Sequence, residues 1–274
     1  MGETIRLIAI VIVVGVLILA LYLFAQFVRR TSMFFPARYP EGAWEPSAYA
    51  IHPEDVSFTS DDGVRLHGWW FGAADAHAPL LIFFHGNAGN ITDRGTTAAE
   101  LARRGIAVFL FDWRGYGRSE GRPTESGLFH DALAAYDFGR SRSDAPIVAY
   151  GESLGGPYAA YVARRRPVRC VVIENSIPSL AAIGNTLYRP LPLGWFAPRA
   201  LTTTRWLNEA RVPVLVIHGK QDEVIPFGLG MQLYNGLRVP KELLVSEKAH
   251  HCEFATCEPT RYYETVVKFV QQHV

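Results

Sequence analysis

Beyond residue 55 the sequence alternates short apolar runs with helix-like segments, and this alternation limits the possible folds most strongly. Val56–Thr59 and Val64–Phe71 flank the turn signal Asp61–Gly63 and predict an opening hairpin. The elements predicted after it are strands Leu80–Phe84, Ile106–Phe111, Ile147–Tyr150, Val168–Ile173, Val214–Ile217 and Glu242–Val245, with helices Thr92–Arg104, Thr124–Arg140, Leu154–Arg165 and Pro259–Gln272. Apolar strands that alternate with helices are typical of a mainly parallel sheet covered on both faces. We therefore predict an α/β fold.

The stretch Ser176–Asn208 interrupts this alternation. It combines prolines with large apolar side chains, among them Leu187, Tyr188, Leu193, Trp195 and Phe196. We interpret it as a short cap, inserted between two strands of the sheet and lying over the functional site.

The N-terminus carries a long apolar segment. Leu7–Val28 contains 22 residues without a charge, and about 20 helical residues are enough to cross a bilayer. A cleaved signal peptide is the alternative, but its apolar region is shorter and ends at a small-x-small site, whereas Gln26–Arg30 follows here. The sequence predicts an uncleaved transmembrane anchor over residues 1–30, a connector over 31–54 and an α/β domain over 55–274.

Charges around the anchor predict its orientation. Arg6 and Glu3 precede the apolar segment, and Arg29, Arg30 and Arg38 follow it. The positive-inside rule then predicts a single-pass membrane protein with its α/β domain in the cytoplasm. The opposite orientation remains open because the charge difference is small.

Composition excludes several classes of function. A formal net charge of +1 argues against a nucleic-acid partner, which needs a basic surface. The three cysteines (Cys170, Cys252 and Cys257) are interpreted as free thiols, although Cys252 and Cys257 could pair in an oxidising compartment. No Cys/His spacing resembles a zinc site, and we predict neither a metal nor an organic cofactor.

One motif identifies a candidate nucleophile. Strand Ile147–Tyr150 runs into Gly151–Gly155, which reads GESLG, and a helix is predicted directly after it. A G-x-S-x-G sequence between a strand and a helix is a nucleophile elbow, in which Ser153 projects from a sharp turn. The start of the helix adds backbone N–H donors where an oxyanion would form.

The remaining polar groups of a Ser-Asp-His triad follow in the expected order. Asp222 lies just after strand Val214–Ile217, and His250 and His251 follow the last strand. The loop His85–Asn90 follows strand Leu80–Phe84, and we assign its Asn87 amide, with that of Leu154, to an oxyanion hole. Each group lies at the carboxyl end of a strand, where α/β sheets bind ligands.

Four motifs together resemble α/β-hydrolase-domain proteins. They are His85–Asn90 (HGNAGN), Asp112–Ser119 (DWRGYGRS), Gly151–Gly156 (GESLGG) and His218–Asp222 (HGKQD). Over about residues 55–272 the chain is similar to the membrane-anchored members related to serine aminopeptidase-like and monoacylglycerol-lipase-like hydrolases. The resemblance implies a triad of Ser153, Asp222 and His251, with His250 as the alternative base.

Function follows as an expectation. We expect hydrolysis of an ester or thioester of a small-molecule acyl substrate, with lipid-type esters favoured by the anchor and the apolar cap. A peptidase or amidase is one alternative, and a catalytically silent membrane-tethered scaffold is another, disfavoured because every triad position is filled. We expect His85 and His218 to be structural, and Glu174 to bond a loop rather than to act as the triad acid.

Overall fold

The computed structural model describes residues 2–31, 33–45, 49, 51–190, 194 and 201–274. In this part of the chain the helices are α1 (Gly2–Thr31), α2 (Gly95–Arg103), α3 (Glu125–Arg142), α4 (Gly155–Arg165), α5 (Leu180–Leu187), α6 (Thr203–Ala210), α7 (Phe227–Gly236), α8 (Phe254–Cys257) and α9 (Pro259–His273). The strands are β1 (Phe35–Pro36), β2 (Glu54–Thr59), β3 (Arg65–Phe71), β4 (Leu80–Phe84), β5 (Ala88–Gly89), β6 (Ala107–Phe111), β7 (Ile147–Glu152), β8 (Cys170–Glu174), β9 (Val214–Gly219) and β10 (Lys241–Ser246).

Eight of these strands form one sheet in the order β10-β9-β8-β7-β4-β6-β3-β2. The pairs from β6 to β10 are parallel. The hairpin strands β2 and β3 pair antiparallel with each other, and β3 pairs antiparallel with β6. The predicted α/β-hydrolase fold, a mostly parallel sheet with flanking helices, is confirmed.

Helices cover both faces of the sheet because the strand side chains alternate between two cores. In β4, Leu80, Ile82 and Phe84 pack into one cluster, and Leu81 and Phe83 pack into the other. The first cluster is completed by residues of α3, α4 and α6, and the second by residues of α2 and α9. All five β4 side chains are buried, which explains its unbroken apolar sequence.

Helix starts follow from local capping chemistry. The Thr124 side chain accepts a hydrogen bond from the Gly127 N–H (3.0 Å), and α3 begins at the next residue. The helix predicted from Thr92 begins instead as a 3-10 turn, Ile91–Arg94, which continues as α2. The Asn90 side chain caps that turn by accepting from the Thr92 N–H.

Helix α1 contains the apolar segment of the N-terminus. Glu3–Phe27 is long and apolar enough to cross a membrane, and none of its most apolar window is buried against the rest of the protein. Its large side chains, such as Leu17 and Val11, both 63% exposed, are therefore not covered by the part of the chain that the structure describes.

The connector is hydrogen-bonded to the catalytic domain soon after α1 ends. Strand β1 pairs in parallel with β5, in the loop that follows β4. The Phe35 N–H donates to the Asn87 carbonyl (2.8 Å), and the Ala37 N–H donates to the Gly89 carbonyl (3.0 Å). The connector is thus hydrogen-bonded along the loop that was predicted to supply an oxyanion donor.

The predicted cap contains helix α5 and the start of α6. Ala182 and Ile183 of α5 pack on Ile177, Ile225 and Leu229. The cap residues Leu193, Trp195 and Phe196 lie outside the described residues.

Candidate active site

Ser153 lies in a strained turn between β7 and α4. Its φ is +52°, a left-handed conformation that non-glycine residues seldom adopt. Its N–H donates to the Glu174 carbonyl (2.8 Å), which fixes the turn against strand β8. The residue is 5% exposed. This is the geometry of the nucleophile elbow that the motif predicts.

Two glycines of the motif allow the turn to form. A Cβ atom on Gly155 would lie 1.8 Å from the Phe84 carbonyl oxygen, and one on Gly151 would lie 2.5 Å from Cα of Gly156. Both neighbours are backbone and cannot move aside as a side chain could. The G-x-S-x-G spacing is therefore required by close packing of strand, turn and helix.

Ser153, His251 and Asp222 form a continuous chain of contacts. His251 Nε2 lies 3.0 Å from Ser153 Oγ, and His251 Nδ1 lies 2.8 Å from Asp222 Oδ2. The structure thus brings together the three residues that the sequence and its resemblance single out. A hydroxyl, an imidazole and a carboxylate in this order can transfer the hydroxyl proton to the imidazole.

The Asp222 carboxylate is held by donors on both oxygens. Oδ1 accepts from the N–H groups of Val224 (2.9 Å) and Ile225 (2.8 Å), and Oδ2 also accepts from Asn175 Nδ2 (2.5 Å). Burial alone raises the pKa of Asp222, but the hydrogen bonds from His251 and Asn175 outweigh it and hold the pKa below its usual value. Asp222 is therefore ionised at neutral pH.

His250, the alternative base, lies elsewhere. Its Nδ1 is 3.0 Å from Glu223 Oε2 at the surface, where both side chains are more than half exposed. The Glu223 carboxylate raises the pKa of His250. In the described geometry the contact with Ser153 is made by His251.

Two backbone amides are placed for an oxyanion. Within the described residues, the N–H groups of Asn87 and Leu154 make no hydrogen bond to the protein. The loop of Asn87 adjoins the nucleophile, since a Cβ on Gly86 would lie 3.3 Å from Cβ of Ser153. Leu154 directly follows the nucleophile at the start of α4. Their role as an oxyanion hole stays a prediction.

An ion pair that the sequence did not reveal joins this loop to the elbow. Arg94 contacts Glu152, the residue before Ser153, through Nη2 (2.5 Å) and Nε (3.1 Å). Glu152 Oε1 also accepts from the Gly86 N–H (3.2 Å), and Arg94 Nη1 donates to the Ala88 carbonyl (3.1 Å). Both side chains are largely buried, at 15% and 7% exposed. The pair therefore fixes the loop against the turn that carries Ser153.

Glu174 is buried behind the site and does not contact His251. Its Oε2 accepts hydrogen bonds from the phenols of Tyr150 and Tyr262, which also contact each other. Burial raises the pKa of Glu174 to about 7, and the nearby Glu152 acts in the same direction. Glu174 therefore lies outside the Ser153–His251–Asp222 contacts, as expected, but its side chain bonds strand β7 and helix α9 and not the loop that the sequence interpretation gave it.

Other polar residues of the motifs support loops. His85 Nδ1 contacts the Gly86 carbonyl (2.8 Å), and His218 Nε2 contacts the Ile225 carbonyl (2.9 Å). Arg114 pairs with the carboxylates of Asp131 and Asp62, both at 2.7 Å. The three cysteines are free.

Comparisons with known proteins agree with this fold. Residues 75–192 match the family described as serine aminopeptidase, S33. The chain is 33% identical over 230 residues to the uncharacterized protein YfhR of Escherichia coli K12, covering 79% of this chain and 80% of that protein. It is 32% identical over 190 residues to the lysophosphatidylserine lipase ABHD12 of Rattus norvegicus, covering 61% of this chain and 47% of the lipase.

The fold has close counterparts among solved structures. The esterase Pf2001 of Pyrococcus furiosus superposes with a TM-score of 0.71 at 22% identity, over 88% of this chain and 98% of the esterase. The sheet, the elbow and these relatives define an α/β hydrolase. The chain belongs to the α/β-hydrolase family and, within it, is similar to the S33 aminopeptidase group and to YfhR.

Proposed function

We propose that this protein is a membrane-anchored serine hydrolase that cleaves esters or thioesters of lipid-type acyl substrates. The observation that carries the proposal is the contact chain from Ser153 Oγ through His251 to Asp222, at 3.0 and 2.8 Å. Two amide N–H groups that have no hydrogen-bond partner among the described residues lie on the loops beside the nucleophile.

The proposed reaction is acyl transfer to water. His251 Nε2 takes the Ser153 proton as Oγ bonds to the acyl carbon, and the N–H groups of Asn87 and Leu154 stabilise the oxyanion. His251 then gives its proton to the leaving alcohol or thiol, and the acyl-enzyme forms. Water attacks this ester by the same proton transfers, releasing the acid. Asp222 orients the imidazole and stabilises its charged form, and no metal or cofactor takes part in the proposal.

Helix α1 supports the membrane part of the proposal. Its apolar stretch Glu3–Phe27 is exposed and long enough to span a bilayer. We place the catalytic domain in the cytoplasm, following the arginines after the helix. Protease added to intact spheroplasts should then leave the domain uncut, and its digestion from outside would reverse the orientation.

The first experiment is labelling of the full-length protein in membranes with a fluorophosphonate probe. Wild type should label, and both Ser153→Ala and His251→Ala should not, with hydrolysis lowered at least about 10⁴-fold. His250→Ala is the matched control and should label like wild type. If His250→Ala abolishes labelling and His251→Ala does not, the assignment of the base is wrong. A folded wild type that never labels would favour the scaffold.

A peptidase is the second candidate, favoured by the match to the S33 serine aminopeptidases. It uses the same residues, so the labelling experiment does not separate the two. Parallel assays with acyl esters of increasing chain length and with aminoacyl anilides do. Turnover of the anilides above that of every ester would replace the esterase proposal.

A further inference from the structure

Three exposed apolar side chains belong to segments that adjoin the candidate active site. Outside α1, the described residues with large hydrophobic side chains at the surface are Phe35, Tyr39, Leu187, Val224 and the C-terminal Val274. We define the apolar rim as Phe35, Leu187 and Val224, which are 52%, 49% and 48% exposed. Apolar side chains that gather at one place of a surface mark an interaction site more often than scattered ones do.

The rim residues flank the site from two sides. Phe35 donates its N–H to the Asn87 carbonyl, on the side of the oxyanion loop. Val224 donates its N–H to Asp222 Oδ1 (2.9 Å), on the side of the triad acid. Leu187 ends helix α5, and α5 packs through Ile183 against Ile225, the residue after Val224. The segments that carry the rim residues thus adjoin the oxyanion loop on one side and the loop of the triad acid on the other.

The anchor brings the same part of the protein to the bilayer. Helix α1 ends at Thr31, and Phe35 follows four residues later. An extended chain spans at most about 3.6 Å per residue, so Phe35 lies within about 14 Å of the end of the helix. From β1 the connector is fixed to the catalytic domain, because β1 is paired with the oxyanion loop. The end of α1 is therefore held within about 14 Å of a strand that is bonded to the oxyanion loop.

We propose that the apolar rim docks on the bilayer that holds α1, so that the acyl substrate reaches Ser153 from the lipid phase. Three half-exposed side chains would bind a membrane only weakly as a free surface. With α1 already inserted the contact becomes intramolecular, and a weak contact is then enough. The entry route rests on the proposed function, whereas the docking does not depend on activity.

The test measures the depth of single positions in lipid nanodiscs. In a Cys257→Ser background of the full-length protein, Val224→Cys and Leu187→Cys carry a nitrobenzoxadiazole fluorophore, and the discs contain nitroxide-labelled phospholipids. Val274→Cys is the matched control, since Val274 is also an exposed hydrophobic residue, at 37%. The Cys257→Ser parent measures labelling of the remaining cysteines. Quenching at 224 and 187 well above that at 274 is expected, and equal quenching at all three positions would overturn the docking.

A kinetic experiment separates this inference from the proposed function. Leu187→Ser should lower hydrolysis of a long-chain ester embedded in the bilayer about fivefold and leave a water-soluble acetate ester unaffected. Val274→Ser should change neither. Quenching at the rim without hydrolysis of any ester would refute the proposed function alone. Ester hydrolysis without quenching, or an equal effect of Leu187→Ser on both esters, would refute the docking alone.

Discussion

At the scale of single residues, the ion pair between Arg94 and Glu152 links the two loops that face the substrate. Arg94 donates a hydrogen bond to the Ala88 carbonyl, and Glu152 accepts one from the Gly86 N–H. These two contacts lie on either side of Asn87. An oxyanion donor is useful only when it lies about 2.7–3.1 Å from the developing charge. We infer that Arg94 is a positioning residue, which acts through the loop rather than on the substrate.

Arg94→Met should therefore lower kcat about 10- to 100-fold and change KM little, because a displaced donor loses part of the stabilisation of the transition state. Steady-state kinetics, with the folded active fraction counted by burst titration, gives kcat per competent molecule. Arg103→Met, at the end of helix α2, is the control, since the Arg103 side chain that pairs with Glu100 is 57% exposed. If kcat per competent molecule is unchanged and only the active fraction falls, Arg94 merely stabilises the fold.

Buried Glu174 makes stability depend on pH. Its pKa is raised from 4.5 to about 7 in the folded protein. A raised pKa means that the folded state binds the proton more tightly, so stability present below pH 4.5 is lost as pH rises to 7. Glu174→Gln should remove this loss, on the order of 3 kcal/mol. Denaturant unfolding at several pH values measures this change in the free energy of unfolding, and Glu242→Gln, at an exposed position, is the control. Parallel pH profiles for wild type and Glu174→Gln would contradict the prediction.

The sequence identifies the residues that belong to a motif. It gives no signal for the residues that hold those motif residues in position. Ser153 and Asp222 lie in loops just after apolar strands. The pattern of strands therefore predicts that both residues lie at the same edge of the sheet. Asn175, Arg94 and Glu152 carry no such signal, because each acquires its partner only when distant segments meet. His251 could be chosen over His250 only by resemblance, whereas the contact with Ser153 distinguishes the two in space.

At the scale of elements, the short pair β1–β5 joins the membrane-proximal connector to the oxyanion loop. It consists of two residues on each strand. The Asn87 side chain adds a hydrogen bond from Nδ2 to the Met33 carbonyl (3.2 Å), and the Tyr116 hydroxyl donates to the Asn87 carbonyl (2.7 Å). The loop thus depends on a segment that lies far away in the sequence.

Ala37→Pro should therefore lower kcat by about 3- to 10-fold, since it removes the N–H that donates to the Gly89 carbonyl and loosens the loop. The measurement is turnover of a soluble acetate ester by the full-length protein in detergent. Ala76→Pro is the matched control, because Ala76 is exposed and follows the first residue of the turn Asp75–Ala78, a position that tolerates proline. Equal turnover by the two variants would show that the pairing does not affect catalysis.

Most elements of the sheet could be predicted because they are long apolar runs. Helix α7 could not, since Gly228, Gly230 and Gly236 give it the composition of a loop. Gly230 is needed there because a Cβ would lie 2.3 Å from Nδ1 of buried His218. Packing against β9 therefore overrides the low intrinsic helix propensity of glycine. Strand β1 escaped prediction because two residues carry no periodicity.

At the scale of the whole molecule, the chain combines a hydrolase that has a core on each face of the sheet with one helix whose most apolar window is not buried against the rest of the protein. The segment boundaries at residues 30 and 54 stay a prediction. The connector between them is bonded to the catalytic domain from Phe35 onward, which distinguishes it from a free linker.

Under the proposed function, helix α1 also changes what substrate concentration means for this protein. An enzyme held in a bilayer meets its lipid substrates by diffusion in two dimensions, so its rate follows the number of substrate molecules per unit of membrane area. The same quantity of substrate spread through twice as much lipid is half as concentrated for this enzyme, although its amount per volume of cell is unchanged. Membrane growth would then slow turnover, and clustering of substrate into patches would accelerate it, without any change in the active site.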